Sequence, residues 1–238
     1  MPNTLQTTLN WATAFIQNQP LSANTGSEPA VSIASMIRNS IMNAPMSWSW
    51  NRFENTANVT NTSNQDYVIT VSNFGFLEKV SLTDSTGSVQ ELKDIYNTSA
   101  LSINSVQQRP SAAAVISYTP GTSFKLRFNT VPDKIYTINL TYQGLSTQFV
   151  SLTDAWSPIP DQYSDVYNNL FLSEAFQTAN DDQEAARYRQ RGVAALLSKA
   201  EGLTQTQINI FRAQWLARDS EAMSNTLKTQ MGNQARGV

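Results

Sequence analysis

The chain has 238 residues, a formal net charge of -2 and 14% charged residues, against roughly a quarter in ordinary soluble domains. Five Trp, eight Tyr and ten Phe in a chain that is 40% hydrophobic exclude the aromatic-poor, charge-rich composition of disorder. With no Cys and no His, disulfides, thiolate metal sites and the commonest general base are excluded, and the missing basic patch argues against sequence-independent nucleic-acid binding.

The first 45 residues read as helical. Leu5, Leu9, Ala12 and Ile16 recur at helical spacing with Trp11 and Phe15 beside them, and Pro20 closes the segment. Neither a basic leader nor a long apolar run follows Met1, so the start reads as neither a signal peptide nor a membrane span. Ser27, Glu28 and Pro29 form a helix start, and Ile33, Ile37 and Ile41 make the apolar stripe of a second helix that ends at Pro45.

From Met46 the period becomes alternating. Trp48 and Trp50 share a face, and Tyr67, Ile69 and Val71 alternate with Val68 and Thr70. Asp84-Ser85-Thr86-Gly87 and Thr119-Pro120-Gly121-Thr122 are turns. Phe124, Leu126 and Phe128 form one apolar row, and Tyr136, Ile138, Leu140 and Tyr142 are expected to complete a hairpin with it. The polar stretch from Asn97 to Ser111 reads as a mobile loop. Short strands with regular turns predict an antiparallel sandwich or small barrel.

Helical period returns near Thr153. Pro158 and Pro160 mark an extended link into a helix near Asp161, with Val166, Leu170 and Ser173 on one stripe beside Tyr163 and Tyr167. Asp181 and Asp182 open the next helix, whose acidic first turn complements the helix dipole, and Gly202 ends it. Thr204 and Gln207 are spaced as the capping box of a last helix that buries Ile208, Phe211 and Trp215. The fold class is therefore α+β: an N-terminal helical segment (1–45), an antiparallel β domain (46–153), and a C-terminal helical region (154–238) that ends in a polar tail.

Enzymatic chemistry would have to rest on carboxylates. Asp161 and Asp165, or Asp181, Asp182 and Glu184, are the densest candidates; the second cluster sits where helix caps belong, and no pair with the spacing of a glycosidase stands out. Calcium-loop, P-loop and dinucleotide-binding patterns are missing, so no cofactor and no metal are expected. Arg187, Arg189 and Arg191 read either as phosphate contacts or, more simply, as a run in which Arg187 and Arg191 pair with acids on a neighbouring helix or subunit. Trp48 and Trp50 read either as a sugar-stacking platform or as core or interface residues. A weakly charged polar surface suits packing beside identical copies, since little like-charge repulsion opposes close approach.

The run Trp156-Ser157-Pro158-Ile159-Pro160-Asp161-Gln162-Tyr163, then Tyr167, Glu174 and Asp181-Asp182, then Ala185-Ala186-Arg187-Tyr188-Arg189-Gln190-Arg191-Gly192, resembles the head-to-tail connectors of tailed bacteriophages, including adaptors of the tail tubular protein A type. Trp48-Ser49-Trp50-Asn51-Arg52 after two helices resembles phage neck proteins more loosely. The resemblance implies a non-enzymatic virion protein of the neck or tail, made in the host cytoplasm and not bound to membrane. It implies a homo-oligomeric, commonly dodecameric ring that docks on the portal protein, continues the DNA channel without sequence-specific contact, and receives a downstream tail or nozzle protein, with tail fibres as further partners. Helices would face the portal and the tail from Ala217 to Val238 would run along it. Interface candidates are Trp48, Trp50, Arg52, Trp156, Tyr163, Arg187, Arg189, Arg191, Trp215 and Arg236. A carbohydrate- or receptor-binding module of a phage tail is the alternative, resting on Trp48 and Trp50.

Overall fold

A computed structural model describes residues 3–16, 28–96, 101–119, 121–199 and 202–217. Pro20, Ser27, Arg236 and the polar tail lie outside the described residues. The chain divides into two compact units, one formed by Met1–Ile41 with Thr147–Val238, the other by Met42–Ser146.

The first unit is helical. Thr4 caps α1 (Leu5–Thr13) with the Thr7 side chain bonding back, and Leu5, Leu9 and Ala12 are buried. The stripe of α2 (Ala30–Met42) buries Ile33, Ile37 and Ile41 as its spacing predicts. Helix α3 (Ser164–Thr178) is the centre of this unit: Val166, Tyr167, Leu170, Phe171, Leu172, Ser173 and Ala175 are all buried, which covers more than one face. Helix α4 (Asp182–Ser198) pairs with α3, and Asp181 accepts the Glu184 N–H at 3.1 Å as its cap. A Cβ on Gly192 would fall 2.7 Å from Leu170 Cδ2 and 3.2 Å from Leu170 N, so the two helices meet almost backbone to backbone there. Residues 205–217 form α5, opened by the predicted box: Thr204 N donates to Gln207 Oε1 at 2.7 Å, and Gln207 N to Thr204 Oγ1 at 3.3 Å. None of the described helices is long and apolar enough to cross a membrane.

The second unit is an open sandwich, not a closed barrel. One sheet has the order β1 (Arg52–Val59), β8 (Thr137–Gly144), β3 (Phe74–Thr83), β4 (Val89–Glu91); the other has β2 (Asp66–Thr70), β7 (Ser123–Phe128), β6 (Ala112–Thr119), β5 (Asp94–Tyr96). All pairings are antiparallel except β5 with β6. Alternate residues of both sheets meet in one core, in which Phe74 stacks on Phe124 at 4.0 Å between ring centroids.

Three expectations are corrected. The rows Phe124-Leu126-Phe128 and Ile138-Leu140-Tyr142 do not form a hairpin: β7 lies between β2 and β6, while β8 lies between β1 and β3. Their connection, Asn129 to Tyr136, is longer than the roughly two- to five-residue turns of a hairpin, and it arches from one sheet to the other so that the two apolar rows face across the core. Trp48 and Trp50 belong not to a strand but to the entry of a 3-10 turn at Ser49–Asn51. The described part of the expected mobile loop is anchored: Gln65 Nε2 donates to the Ser102 carbonyl at 3.1 Å, Asn104 N to Gln65 Oε1 at 2.9 Å, and Val131 N to the Val106 carbonyl at 3.1 Å. Its polar side chains and backbone groups satisfy neighbouring loops, a role that leaves no period in the sequence.

On the outer face of the second sheet, Arg127 grips Asp66 with two bonds, at 2.7 and 2.8 Å, and Lys125 lies 3.0 Å away. Bonding from Arg127, then from Lys125, holds the Asp66 carboxyl down at about 2 despite its partial burial. Because the folded value is depressed, this stabilisation is complete above the ordinary carboxylate range and fades as pH falls through about 2. Asp66→Asn is expected to lower stability at neutral pH by about 1–2 kcal/mol, after discounting for solvent, and to flatten the loss between pH 4 and 2. Urea melts across that range check it.

Candidate functional site

The segment that carries the resemblance is a junction inside the helical unit. Residues 147–160 form a link that is neither helix nor strand, with turns at 151–153 and 157–159, and its carbonyls complete α1: Leu5 N donates to the Asp154 carbonyl at 2.9 Å and Gln6 N to that of Leu152 at 2.8 Å. These are N–H groups that a helix start leaves without intrahelical partners. Trp156 N donates in return to the Asn3 carbonyl at 2.9 Å. The Trp156 ring is fully buried, stacked on Tyr167 of α3 at 4.1 Å and edge-on to Phe149 at 4.9 Å. Its Nε1 donates to Thr8 Oγ1 at 2.9 Å, and Thr8 donates to Asn168 Oδ1 at 2.9 Å, a relay that joins α1, the link and α3. Burial pushes the Tyr167 hydroxyl up to about 12.

Arg38 of α2 holds the same link from the other side. Its Nη1 donates to the Thr147 carbonyl and hydroxyl, both at 3.1 Å, and its Nη2 to the carbonyls of Ala155 and, at 3.2 Å, Ser157. The guanidinium carbon lies 3.8 Å from the Phe149 ring centroid, and Ser35 accepts the Phe149 N–H at 3.0 Å. Arg38 is 2% exposed, and burial lowers its guanidinium to about 10, still charged at neutral pH. Taking this cation out of water costs several kcal/mol. Each bond to a charged donor returns roughly 1.5–3 kcal/mol, so the three carbonyls offset part of that cost, and the lowered value shows that burial still outweighs them.

The predicted residues divide by accessibility. In the helical unit Trp156, Tyr163, Arg189 and Trp215 are buried within the chain. Tyr163 donates to the Lys199 carbonyl at 3.3 Å, and Arg189 donates to Gln177 Oε1 at 2.7 Å with Glu174 3.9 Å away. Arg187 and Arg191 stand exposed on α4. Arg187 pairs with Glu184 on its own helix at 3.2 Å, while Arg191 lies over Tyr188, 5.2 Å from the ring centroid. Tyr188 continues into an aromatic cluster with Phe176 at 5.4 Å and with Phe15, 46% exposed, at 6.1 Å.

In the sandwich Trp48 is 1% exposed and stacks on half-buried Trp50 at 5.5 Å, so the two do not offer a flat pair to solvent. Trp48 N donates to Gln143 Oε1 at 3.2 Å, and Gln143 Nε2 donates back to the Trp48 carbonyl at 3.0 Å and to Glu78 Oε1 at 2.8 Å. Arg52 is exposed and pairs with Glu78 at 2.6 Å. Beside this pair an open groove of about 640 Å³ runs over the outer face of the first sheet, lined by Arg52, Glu54, Glu78, Lys79 and Glu91 among others. Its charges mostly pair off, with Lys79 2.7 Å from Glu91.

Asp66, Asp84 and Asp154 are shifted down by hydrogen bonds, and Tyr67, Tyr136, Tyr142 and Tyr167 are shifted up, chiefly by burial. Each moves away from the neutral range in which a general acid or base works. Among the described residues no three carboxylates converge as metal ligands.

Sequence reasoning missed Arg38, Thr8, Phe149 and Gln143. One signal was available: Arg38 is the only charged residue of α2 and directly follows Ile37 of the buried stripe. Arg38→Met keeps most of the bulk but removes the charged donor from three part-buried carbonyls, so a loss of about 2–3 kcal/mol in denaturant unfolding is expected; a loss below about 1 kcal/mol would show that water replaces the guanidinium.

The sequence matches the model of a protein family described as SU10 adaptor protein over residues 14–215. No curated protein matches the chain.

Proposed function

Since the chain belongs to the SU10 adaptor protein family, phage head-to-tail adaptors and not enzymes, we propose that it is a structural subunit of the virion neck, one copy of a dodecameric ring that docks on the portal, continues the DNA channel and receives the next tail component. The observation that carries this reading is the reach of the family match, from the end of α1 to Trp215, which takes in both compact units rather than a shared fragment.

The geometry supports it in two ways. The buried aromatic and guanidinium groups of the link are used to fix helices against one another, as a load-transmitting subunit requires. The accessible charged candidates Arg187 and Arg191 lie on one exposed stripe of α4. That stripe is where we place the contact with acidic groups of the portal or of the adjacent copy, since exposed cations steer association without stabilising the isolated fold. A net charge of -2 and the lack of a basic patch favour passage of the genome over adhesion to it.

Electron microscopy of the purified protein mixed with portal is expected to show a ring of subunits on the portal's tail-facing end. Arg187→Glu combined with Arg191→Glu is expected to weaken portal docking by about tenfold or more while leaving the thermal transition within a few degrees of wild type. Portal particles that remain bare at every protein concentration would overturn the reading.

A further inference from the structure

The two sheets have four edges, and three of them are blunted. Strand β1 carries a bulge between Asn55 and Asn58, while β4 and β5 are three residues long. Bulges and very short edge strands keep a sheet from pairing with another chain. The fourth edge, β2, has neither device. It pairs with β7 in unbroken register from Asp66 to Thr70, contains no Pro or Lys, and carries Val68 at its middle with 65% of its surface exposed.

The hydrogen-bond phase decides which groups face outward. Phe128 N donates to the Gln65 carbonyl at 3.0 Å, and Val71 N to the Thr122 carbonyl at 3.0 Å. In an antiparallel ladder bonded positions alternate, so residues 65, 67, 69 and 71 face β7, and Asp66, Val68 and Thr70 turn their N–H and C=O groups away from the sheet. Among the described residues nothing bonds to those backbone groups.

We propose that this edge pairs with the same edge of a second copy, antiparallel about a two-fold axis at Val68. The register is self-complementary. Val68 meets Val68 of the other copy, Asp66 meets its Thr70, and all three outward-facing positions fall opposite one another as narrow pairs, each exchanging both hydrogen bonds. Val68 adds a β-branched cross-strand pair. The two Asp66 carboxylates end up four residues apart along the ribbon, about 13 Å. That exceeds the Debye length of about 8 Å at physiological salt, and each is already neutralised by its own Arg127 and Lys125. An isologous contact also closes on itself, so it covers the edge without nucleating a filament. The pairing is separate from the heterologous contacts of a ring and does not depend on them.

Mass measurement of the full chain across a concentration series tests the pairing. The wild type is expected to move from the one-copy to the two-copy mass, Val68→Lys to stay at one copy, and Thr56→Lys on β1 to behave as wild type. Amide exchange supplies a second readout on the unaltered chain: Val68 and Thr70 N–H groups should become protected as concentration rises, while those of Tyr67 and Ile69 stay constant. One-copy mass throughout for the wild type, an oligomer that Val68→Lys leaves intact, or exchange at Val68 and Thr70 that ignores concentration would each overturn the proposal.

Discussion

A guanidinium removed from water must find acceptors for its donors, and in this protein the two Nη groups of Arg38 find them almost entirely on the backbone of one segment, while its buried Nε has no partner among the described residues. Thr147 lies at the start of the link and Ala155 and Ser157 near its end, so bonding all three ties the two ends together and fixes its path where no regular secondary structure does so. With the path fixed, the carbonyls of Leu152 and Asp154 stand where α1 begins, and Trp156 stands where Tyr167 of α3 can stack on it. The terminal parts of the chain therefore form one compact unit through a segment that is neither helix nor sheet.

The sandwich solves a different problem with the same economy of charge. Its core is apolar and its outer faces carry few ions, most of them paired: Asp66 with Arg127 and Lys125, Glu78 with Arg52, Asp84 with Lys134. Pairs of this kind contribute little when exposed, but they leave a surface of nearly balanced charge on which identical copies can approach. That property agrees with membership of an adaptor protein family.

Much of the helical architecture was legible because a 3.6-residue period survives in a single sequence: the stripes of α1 and α2, the Asp181 cap and the Thr204–Gln207 box are local features. Strands β2, β7 and β8 were legible from a two-residue alternation instead, while β4 and β5, three residues each, are too short to show one. Sheet membership was not, since the apolar rows of β7 and β8 have the same pattern whether they lie side by side or face one another, and only the length of the Asn129–Tyr136 connection distinguished the two. The Trp156 link was recognisable as a motif, but its role depends on bonds between backbone carbonyls and a guanidinium more than a hundred residues earlier, which leave no pattern except one charged residue beside a buried stripe. Trp48 and Trp50 misled for a related reason: alternation at two positions is too short to tell a strand from a turn.

Native-state hydrogen exchange offers the most direct measurement of whether the link is the keystone of the helical unit. If it is, the amides of Leu5, Gln6, Phe149 and Trp156 exchange only with the cooperative opening that also releases the buried core of α3. Exchange of those four amides through an earlier, separate opening, with α3 still protected, would contradict the account.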